Sequence, residues 1–466
     1  MPDRPHLLIL MPDQLRADCL GCAGHPTVRT PNIDRIAADG VRFSQATTVS
    51  PVCMSARASF ISGRYPHNHG MWTNSGELPA DDATFFHLLR AAGYHTAHVG
   101  KSHYYSHADQ HMRSRETYMH ARGFETVHET TGPWATTGTE SYMTDRWREL
   151  GLYDAFRRDY AERKAARSLD PPQHLTRPSP LPAEEYLDSY VGRIATEFVR
   201  DYDDPRPLCL FVGFPGPHEP WDAPGEYATM YPPASVPDPI PVPEQKLPEA
   251  IAGKLDFERA TGLDADTVRR IRANYYGKIS LIDRWVGEIL GTFEARGWLD
   301  DLHILFWSDH GEMAGDHGRL YKGVFHESSI RVPFIVRAPG RAPAGTTSDA
   351  PAETVDLAAT LLDLAGLEPS ARVRGASLLP SANNPQHVLR EDQLSEIRFG
   401  GINNIMLRSR EHKYVVDQAG LGYMLYGLAN DPTEQRNLAG DAGAAALEGE
   451  LRERLFRRLL ASQDQM

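Results

Sequence analysis

Hydrophobic and polar positions alternate along the chain in a pattern that predicts buried strands separated by helices. Short apolar runs predict strands at Leu7–Met11, Thr96–Val99, Leu208–Phe214, His303–Trp307 and Phe334–Val336. Apolar residues at helical spacing predict helices at Pro31–Ala38, Ala83–Ala92, Glu184–Asp201, Asp266–Ala295 and Glu353–Leu364. This alternation indicates an α/β fold in which helices cover both faces of one sheet.

The pattern changes toward the end of the chain. His412–Val416 and Tyr423–Gly427 flank the turn sequence DQAGLG and predict a β-hairpin. Ala444–Ser462 predicts a closing amphipathic helix, in which leucines recur every four residues as packing positions: Leu447, Leu451, Leu455 and Leu459. We therefore predict a large domain over residues 1–374 and a small α+β subdomain over residues 375–466.

Composition narrows the choice of partners and compartment. The 466 residues carry a net charge of -13, which disfavours nucleic acid as a partner. The first apolar run, Leu7–Met11, is too short for a membrane span or a secretion signal, so we expect a cytoplasmic protein with no membrane partner. Four cysteines are too few for a disulfide framework. Cys19 and Cys22 have the spacing of a C-x-x-C redox motif. Because they lie in a Gly-rich turn, we interpret them instead as two small apolar residues without a redox role.

Polar residues follow four of the predicted strands. Asp13 and Gln14 follow the first strand, and the next three are followed by Lys101 with His103, by His218, and by Asp309 with His310. Ligands of α/β sheets bind at the carboxyl ends of the strands, so these side chains predict one shared site. A single Asp or His at such a position is usually a cap, but four strand ends exceed what capping explains.

The residues divide into two chemical sets. One is a mostly hard-oxygen set that suits Ca²⁺, Mg²⁺ or Mn²⁺: Asp13, Gln14, Asp309 and His310. The other is cationic: Arg57, Lys101, His103, His218 and Lys322. Cations around a divalent metal stabilise a tetrahedral oxyanion, so together the sets predict hydrolysis of a sulfate or phosphate ester, with histidines as general base and general acid. Each residue taken alone is more often structural, and the prediction depends on their joint placement.

Cys53 precedes the apolar, helix-competent stretch Ala58–Ser62 and is therefore predicted near a helix N-terminus. Free N–H groups and the helix dipole favour an anion there, so a thiolate at Cys53 is a possible nucleophile.

Several long motifs in order resemble the sulfatase family of the alkaline-phosphatase-like superfamily. They are LLILMPDQLRADCLGCAG, TPNIDRIAADGVRF, SPVCMSARASFISGRYPHNHG, GYHTAHVGKSH, SDHGEMAGDHGRLYKG, ESSIRVPFIVRAPG and LYGLANDPTEQRNLAG. The resemblance covers most of the chain. It implies a large mixed, mostly parallel sheet flanked by helices, followed by a small antiparallel sheet with one helix.

The resemblance also implies a role for each site residue. Cys53 would be converted to formylglycine by a formylglycine-generating enzyme, and the aldehyde hydrate would attack the sulfur of a small anionic sulfate ester. Arg57 would hold the hydrate, Lys101 and Lys322 the sulfate oxygens, and Asn74 would be a weaker substrate contact. His103 would be the base that releases sulfate, and His218 would help protonate the leaving group. Asp13, Gln14, Asp309 and His310 would bind one Ca²⁺ or Mn²⁺.

One position departs from the family motif and keeps two alternatives open. Ser55 stands where the maturation signal C-x-[PA]-x-R has Pro or Ala, so Cys53 could stay a thiol in an impaired or merely anion-binding relative.

The Asp-Gln and Asp-His pairs also resemble the phosphonate monoester and phosphodiester hydrolase branch. That branch carries Tyr and Thr in place of Lys101 and His103, which favours a sulfatase here.

Two polar, interrupted segments, Tyr104–Tyr160 and the Pro-rich Pro232–Pro248, are predicted to lie outside the core and to cover the entrance to the site. Their alternative interpretation is surface decoration or a contact in a homo-oligomer. His107 and His111 lack paired ligands nearby and are interpreted as lid or surface residues.

Overall fold

One eight-stranded sheet carries most of the hydrophobic core of the computed structural model, which describes residues 4–79, 82–107, 110–256, 263–384 and 386–464. Its strands are β1 (Leu7–Asp13), β2 (Val41–Thr47), β3 (His95–Lys101), β4 (Thr126–Thr130), β5 (Leu208–Pro217), β6 (His303–Trp307), β7 (Phe334–Arg337) and β8 (Thr346–Glu353). Their order is β4-β3-β5-β1-β6-β7-β2-β8. Only β7 is antiparallel to its neighbours, which confirms the mixed, mostly parallel sheet.

The central strand β1 shows why the sheet is buried on both faces. Leu8 and Leu10 pack into one hydrophobic cluster, whereas Leu7, Ile9 and Met11 pack into another. Successive side chains of a strand point to opposite faces, so an uninterrupted apolar run needs a covering layer on each side.

Helices supply these two layers. Those of seven or more residues are α1 (Pro31–Ala38), α2 (Cys53–Ser62), α3 (Phe85–Ala91), α4 (Tyr142–Glu149), α5 (Tyr153–Arg167), α6 (Leu187–Asp201), α7 (Glu249–Asp256), α8 (Ala265–Ala295), α9 (Asp356–Leu364) and α10 (Ala445–Ser462). The five helices predicted in the large domain are all present. The start predicted at Glu353 was wrong, because that residue ends β8 and its buried carboxylate bonds to Tyr65 and to the backbone of Leu394.

A separate four-stranded antiparallel sheet forms near the end of the chain. It consists of β9 (Gln393–Phe399), β10 (Ile402–Arg408), β11 (His412–Asp417) and β12 (Gly422–Gly427). The predicted hairpin is confirmed as β11 and β12, and α10 buries Leu451 and Leu455 against this sheet. The domain boundary near residue 374 stays a prediction.

The sequence-based interpretation of Tyr104–Tyr160 as lying outside the core was wrong. Apart from residues 108–109, which lie outside the described part, this segment contributes β4, α4 and most of α5, and Trp147 and Phe156 are fully buried in the core. The segment looked too polar for the core, but its aromatic residues lie on the buried faces of amphipathic helices. In the Pro-rich segment, the backbone N–H of Ile240 donates to Asp316, and its C=O accepts from the His317 N–H, so this loop is held against the loop after β6.

The four cysteines are unpaired. Cys19 lies in the core and Cys22 packs against it, which confirms their interpretation as small apolar residues. Among the described residues, no helix combines the length and the apolar character that crossing a membrane requires.

Candidate active site

The carboxyl ends of four adjacent parallel strands bring the predicted residues together. In sheet order, β3 ends at Lys101, β5 is followed by His218, β1 ends at Asp13, and β6 is followed by Asp309. Since parallel strands share one carboxyl edge, residues distant in the sequence become neighbours there. Three more residues complete the group from helices and loops: Cys53 and Arg57 on α2, and Lys322 on the loop after β6.

Arg57 holds the two strand-end carboxylates in place. Its guanidinium Nε donates to Asp309 Oδ2 (2.8 Å), and the two terminal nitrogens donate to Asp13 Oδ2 (3.1 Å) and to the Lys101 carbonyl (2.8 Å). All these groups are buried, so water does not screen the attraction between the guanidinium and the two carboxylates. Arg57 therefore positions α2 against the ends of β1, β3 and β6.

Cys53 is the first residue of α2 and points into the centre of the site. Its Sγ lies 2.9 Å from His310 Nε2 and 3.7 Å from Asp13 Oδ1. Burial and the Asp13 carboxylate raise the pKa of the thiol, but His310, Lys322 and Lys101 outweigh them and lower it to about 5. The surroundings thus stabilise negative charge at this position.

The donor atoms at the centre fit one metal ion. Ligand atoms of Asp13, Cys53, Asp309 and His310 all lie within 4.8 Å of one another and are buried. Burial lowers the pKa of His310, but the Asp309 carboxylate and Cys53 raise it to about 9, so this pocket favours an added positive charge. Carboxylate oxygens with one imidazole are a set that Ca²⁺ and Mn²⁺ accept.

Gln14 adopts a left-handed backbone (φ 69°) and connects the central cluster to two carboxylates that the sequence reasoning missed. Its Nε2 donates to Glu219 (2.9 Å) and contacts Glu312, while its Oε1 contacts Lys322 Nζ. Burial raises the pKa of Glu219, but His218 and Lys322 lower it to about 2. Both glutamates directly follow motif residues, at His218-Glu219 and Gly311-Glu312, and that adjacency was the available signal.

Two lysines contact different residues of the central cluster. Lys101 Nζ contacts Asp13, and Lys322 Nζ lies 2.6 Å from His218 Nε2. The other ring nitrogen of His218, Nδ1, lies 2.7 Å from the Glu219 carbonyl, which orients the ring. Burial favours the neutral acid at Asp13, but Lys101 and Arg57 hold the pKa of this carboxyl well below its usual range.

His103 lies beside Lys101 with a left-handed backbone (φ 57°). Its Nδ1 is buried and, within the described part of the chain, has no hydrogen-bond partner. Burial, followed by Lys101, lowers the pKa of His103 well below its usual value, so the surroundings favour the neutral imidazole. Its ring stacks on His107, which is half-buried and lies next to the site, as a lid residue would.

Two other predicted residues make structural contacts. Asn74 Oδ1 accepts a hydrogen bond from the Met54 backbone N–H (3.0 Å) and so caps the helix that begins at Cys53. His111 Nε2 lies 3.0 Å from Asp145 Oδ2, outside the central cluster.

A buried carboxyl beside the site predicts a pH-dependent stability. Glu129 contacts Ser102 Oγ and accepts from Tyr105 Oη (2.7 Å); burial raises its pKa from 4.5 to about 8. Between these values the folded protein binds more protons at Glu129 than the unfolded chain, so this residue lowers stability as pH rises. Glu129→Gln should therefore raise Tm relative to wild type above pH 8, with the difference narrowing toward pH 4.5. Thermal unfolding across this range measures it, with exposed Glu149→Gln as control; parallel wild-type and Glu129→Gln curves would contradict it.

A mixed α/β sheet with a buried acidic and cationic cluster at its strand ends defines a hydrolase of the alkaline-phosphatase-like type. The family model described as Sulfatase matches residues 5–367, and the model described as N-sulphoglucosamine sulphohydrolase, C-terminal, matches residues 315–460. The chain belongs to the sulfatase family of sulfuric ester hydrolases.

Individual relatives cover nearly the whole chain. An arylsulfatase of Clostridium perfringens is 29% identical over 93% of this chain and 90% of its own length. A choline-sulfatase of Rhizobium meliloti is 31% identical over 94% of this chain and 82% of its own. The crystal structure of a phosphonate monoester hydrolase of Agrobacterium radiobacter superposes with a TM-score of 0.83 at 27% identity, covering 99% of this chain and 97% of that one.

Proposed function

We propose that the protein hydrolyses small anionic sulfate esters to inorganic sulfate and an alcohol, with formylglycine derived from Cys53 as nucleophile. The observation that carries this proposal is the convergence of Cys53, two strand-end carboxylates and two lysines around one buried point. A formylglycine-generating enzyme would be the maturation partner. Formylglycine, once hydrated, supplies one hydroxyl to attack sulfur and a second whose deprotonation expels sulfate.

Asp13, Gln14, Asp309 and His310 would hold one divalent cation, Ca²⁺ or Mn²⁺. When bound, such an ion supplies Lewis-acid stabilisation of charge on the sulfate oxygens. Gln14 must then share its Oε1 with Lys322, which already contacts that atom.

Residues of the chain itself would position the nucleophile, stabilise charge on the sulfate and transfer protons. Arg57 fixes Asp13 and Asp309 and thereby keeps α2 and Cys53 in register with the strand ends. Lys101 and Lys322 present ammonium groups toward the position where sulfate oxygens gain charge. His103, neutral and without a partner for Nδ1 among the described residues, is suited to take a proton, and His218 receives support from Glu219 on the leaving-group side.

The second candidate is hydrolysis of phosphonate monoesters or phosphodiesters. It is supported by the likeness to the phosphonate monoester hydrolase of Agrobacterium radiobacter. Lys101 and His103 weigh for sulfate, because the phosphorus-ester branch is expected to carry Tyr and Thr there.

A comparison of kcat/KM between substrates distinguishes the sulfatase function from the phosphorus-ester function. Matured enzyme should show a higher kcat/KM for para-nitrophenyl sulfate than for para-nitrophenyl phenylphosphonate and bis(para-nitrophenyl) phosphate, which release the same alcohol. The reverse ranking would establish the phosphorus-ester function instead. No turnover of any of the three by protein with confirmed formylglycine would contradict both.

A further inference from the structure

A cavity of about 610 Å³ lies beside α5 and has a strongly cationic lining. Arg157, Lys164 and Arg167 project into it from one face of the helix, and Trp134 and Tyr160 supply aromatic surface. Positions 157, 160, 164 and 167 recur at the spacing of one helical face. The lining residues of this cavity in the described part of the chain include no carboxylate.

Arg167 links this cavity to the catalytic cluster. Its guanidinium carbon lies 4.2 Å from the ring centroid of Tyr321, the neighbour of Lys322 in sequence, and its NH1 is 3.9 Å from Glu219 Oε1, next to His218. The same guanidinium lies 5.9 Å from the Trp134 ring. The cavity therefore opens beside the side chains that are assigned to the sulfate and to the leaving group.

A second link runs through the segment that carries Trp134. A Cβ added at Gly132 would lie 3.0 Å from Lys101 Nζ, so the backbone at this glycine closely approaches the lysine. Two residues later, Trp134 forms part of the cavity wall. Two lining residues of the cavity are thus connected to the two lysines of the site: Trp134 lies two residues after Gly132, which approaches Lys101, and Arg167 contacts Tyr321, which precedes Lys322.

The polar groups of the cavity have unused binding capacity. Within the described residues, no oxygen accepts a hydrogen bond from Arg167; Glu219 Oε1 lies 3.9 Å away, and the other oxygen of that carboxylate, Oε2, accepts from Gln14. The indole Nε1–H of Trp134 is buried and also lacks an acceptor in that part of the chain. In a protein of net charge -13, this concentration of positive charge beside the site is a local exception.

We propose that this cavity binds a second anionic group, a carboxylate or a further sulfate, on the alcohol half of the substrate, with Arg167 as the main contact. This inference rests on the proposed sulfatase function and names the substrate class of the same site. An arginine beside a scissile ester can hold a second anion by charge-assisted hydrogen bonds. A cationic alcohol would instead meet three positive charges, so the cavity selects against it.

Two aryl sulfates that differ in one charge test the inference. They are meta-carboxyphenyl sulfate and meta-carbamoylphenyl sulfate, which have nearly the same shape. Wild-type enzyme should favour the carboxylate. Arg167→Gln should lower kcat/KM for the carboxylate by about tenfold or more, the scale of one charge-assisted hydrogen bond, and leave the carboxamide nearly unchanged. Comparing each variant with wild type on the same ester cancels the difference in leaving-group acidity.

Controls separate this role from general effects. Arg158→Gln removes an exposed arginine of α5 that does not line the cavity and should change neither ester. Lys164→Gln should lower only the carboxylate rate, by a smaller factor. Equal losses on both esters in Arg167→Gln, or no loss on the carboxylate, would overturn the inference while leaving the sulfatase function standing. No turnover of either ester by matured wild type would overturn both.

Discussion

Cys53→Ala should lower sulfate-ester hydrolysis by about a thousandfold or more, the scale seen when a covalent nucleophile is removed. The alanine keeps the helix start and the buried volume nearly intact, so the loss reports chemistry and not unfolding. Asp13, His310 and both lysines surround Cys53 Sγ, and the proposed function gives each of them a role other than nucleophile. Initial rates on para-nitrophenyl sulfate, at equal concentrations of folded protein, measure the effect.

Mass analysis of the peptide that contains Cys53 decides what this residue becomes. In wild type made with a formylglycine-generating enzyme, the tryptic peptide over residues 43–57 should lose its sulfur and react with a hydrazide probe. Ser55→Ala is the matched variant, because the Ser55 hydroxyl is buried and has no partner among the described residues, so the fold does not need it. Conversion in Ser55→Ala should be at least as complete. Cys22→Ala, a cysteine outside the site, should retain full activity.

Full activity with an intact thiol would contradict the formylglycine mechanism and make Cys53 a direct nucleophile. Retained activity in Cys53→Ala would remove this residue from the chemistry altogether.

Asp309→Asn should lower bound divalent metal and reduce activity by about a hundredfold or more, at least the cost of losing an orienting partner of a metal ligand. Asp309 Oδ2 accepts from Arg57, and its Oδ1 accepts from the backbone N–H groups of Gln14 and His310. An asparagine keeps the latter bonds but turns an amide N–H toward the guanidinium. The unfolding free energy should fall by about 3 kcal/mol, because a buried ion pair loses one partner.

Metal analysis after dialysis, together with denaturant unfolding, separates the two effects. Wild type treated with a chelator should lose activity and regain it with Ca²⁺ or Mn²⁺. The exposed Asp203→Asn should match wild type in metal content and rate. An Asp309→Asn variant that is folded, loaded with metal and fully active would show that the ion binds elsewhere.

The parts of this molecule that follow a simple periodicity were predictable from its sequence. Apolar runs such as Leu7–Met11 locate strands buried on both faces, and their carboxyl ends must meet in a parallel sheet. The residues that follow these runs therefore came together without knowledge of the strand order. Cys53 at a helix start was predictable for the same kind of local reason.

Other parts depend on tertiary context that no local pattern carries. β2, β4 and β8 contain polar residues and were not predicted, because their neighbours in the sheet supply the burial. Glu219 and Glu312 act through Gln14, a contact across more than 200 residues of sequence. In the sequence, Arg167 is one of several charged residues on a polar helix. Only the structure shows that its guanidinium lies beside Tyr321 and Trp134.

The burial of α2 has a consequence for the proposed maturation of Cys53. Every residue of this helix is buried; Cys53 is 1% exposed and Arg57 is 0% exposed. An enzyme that must take this cysteine and the residues around it into its own active site cannot reach them once the helix has packed. If Cys53 is converted as proposed, the conversion would therefore have to precede completion of the fold, on the nascent or newly released chain. Protein that folds before meeting its maturation partner would remain a thiol form, so active enzyme depends on the relative speeds of folding and modification.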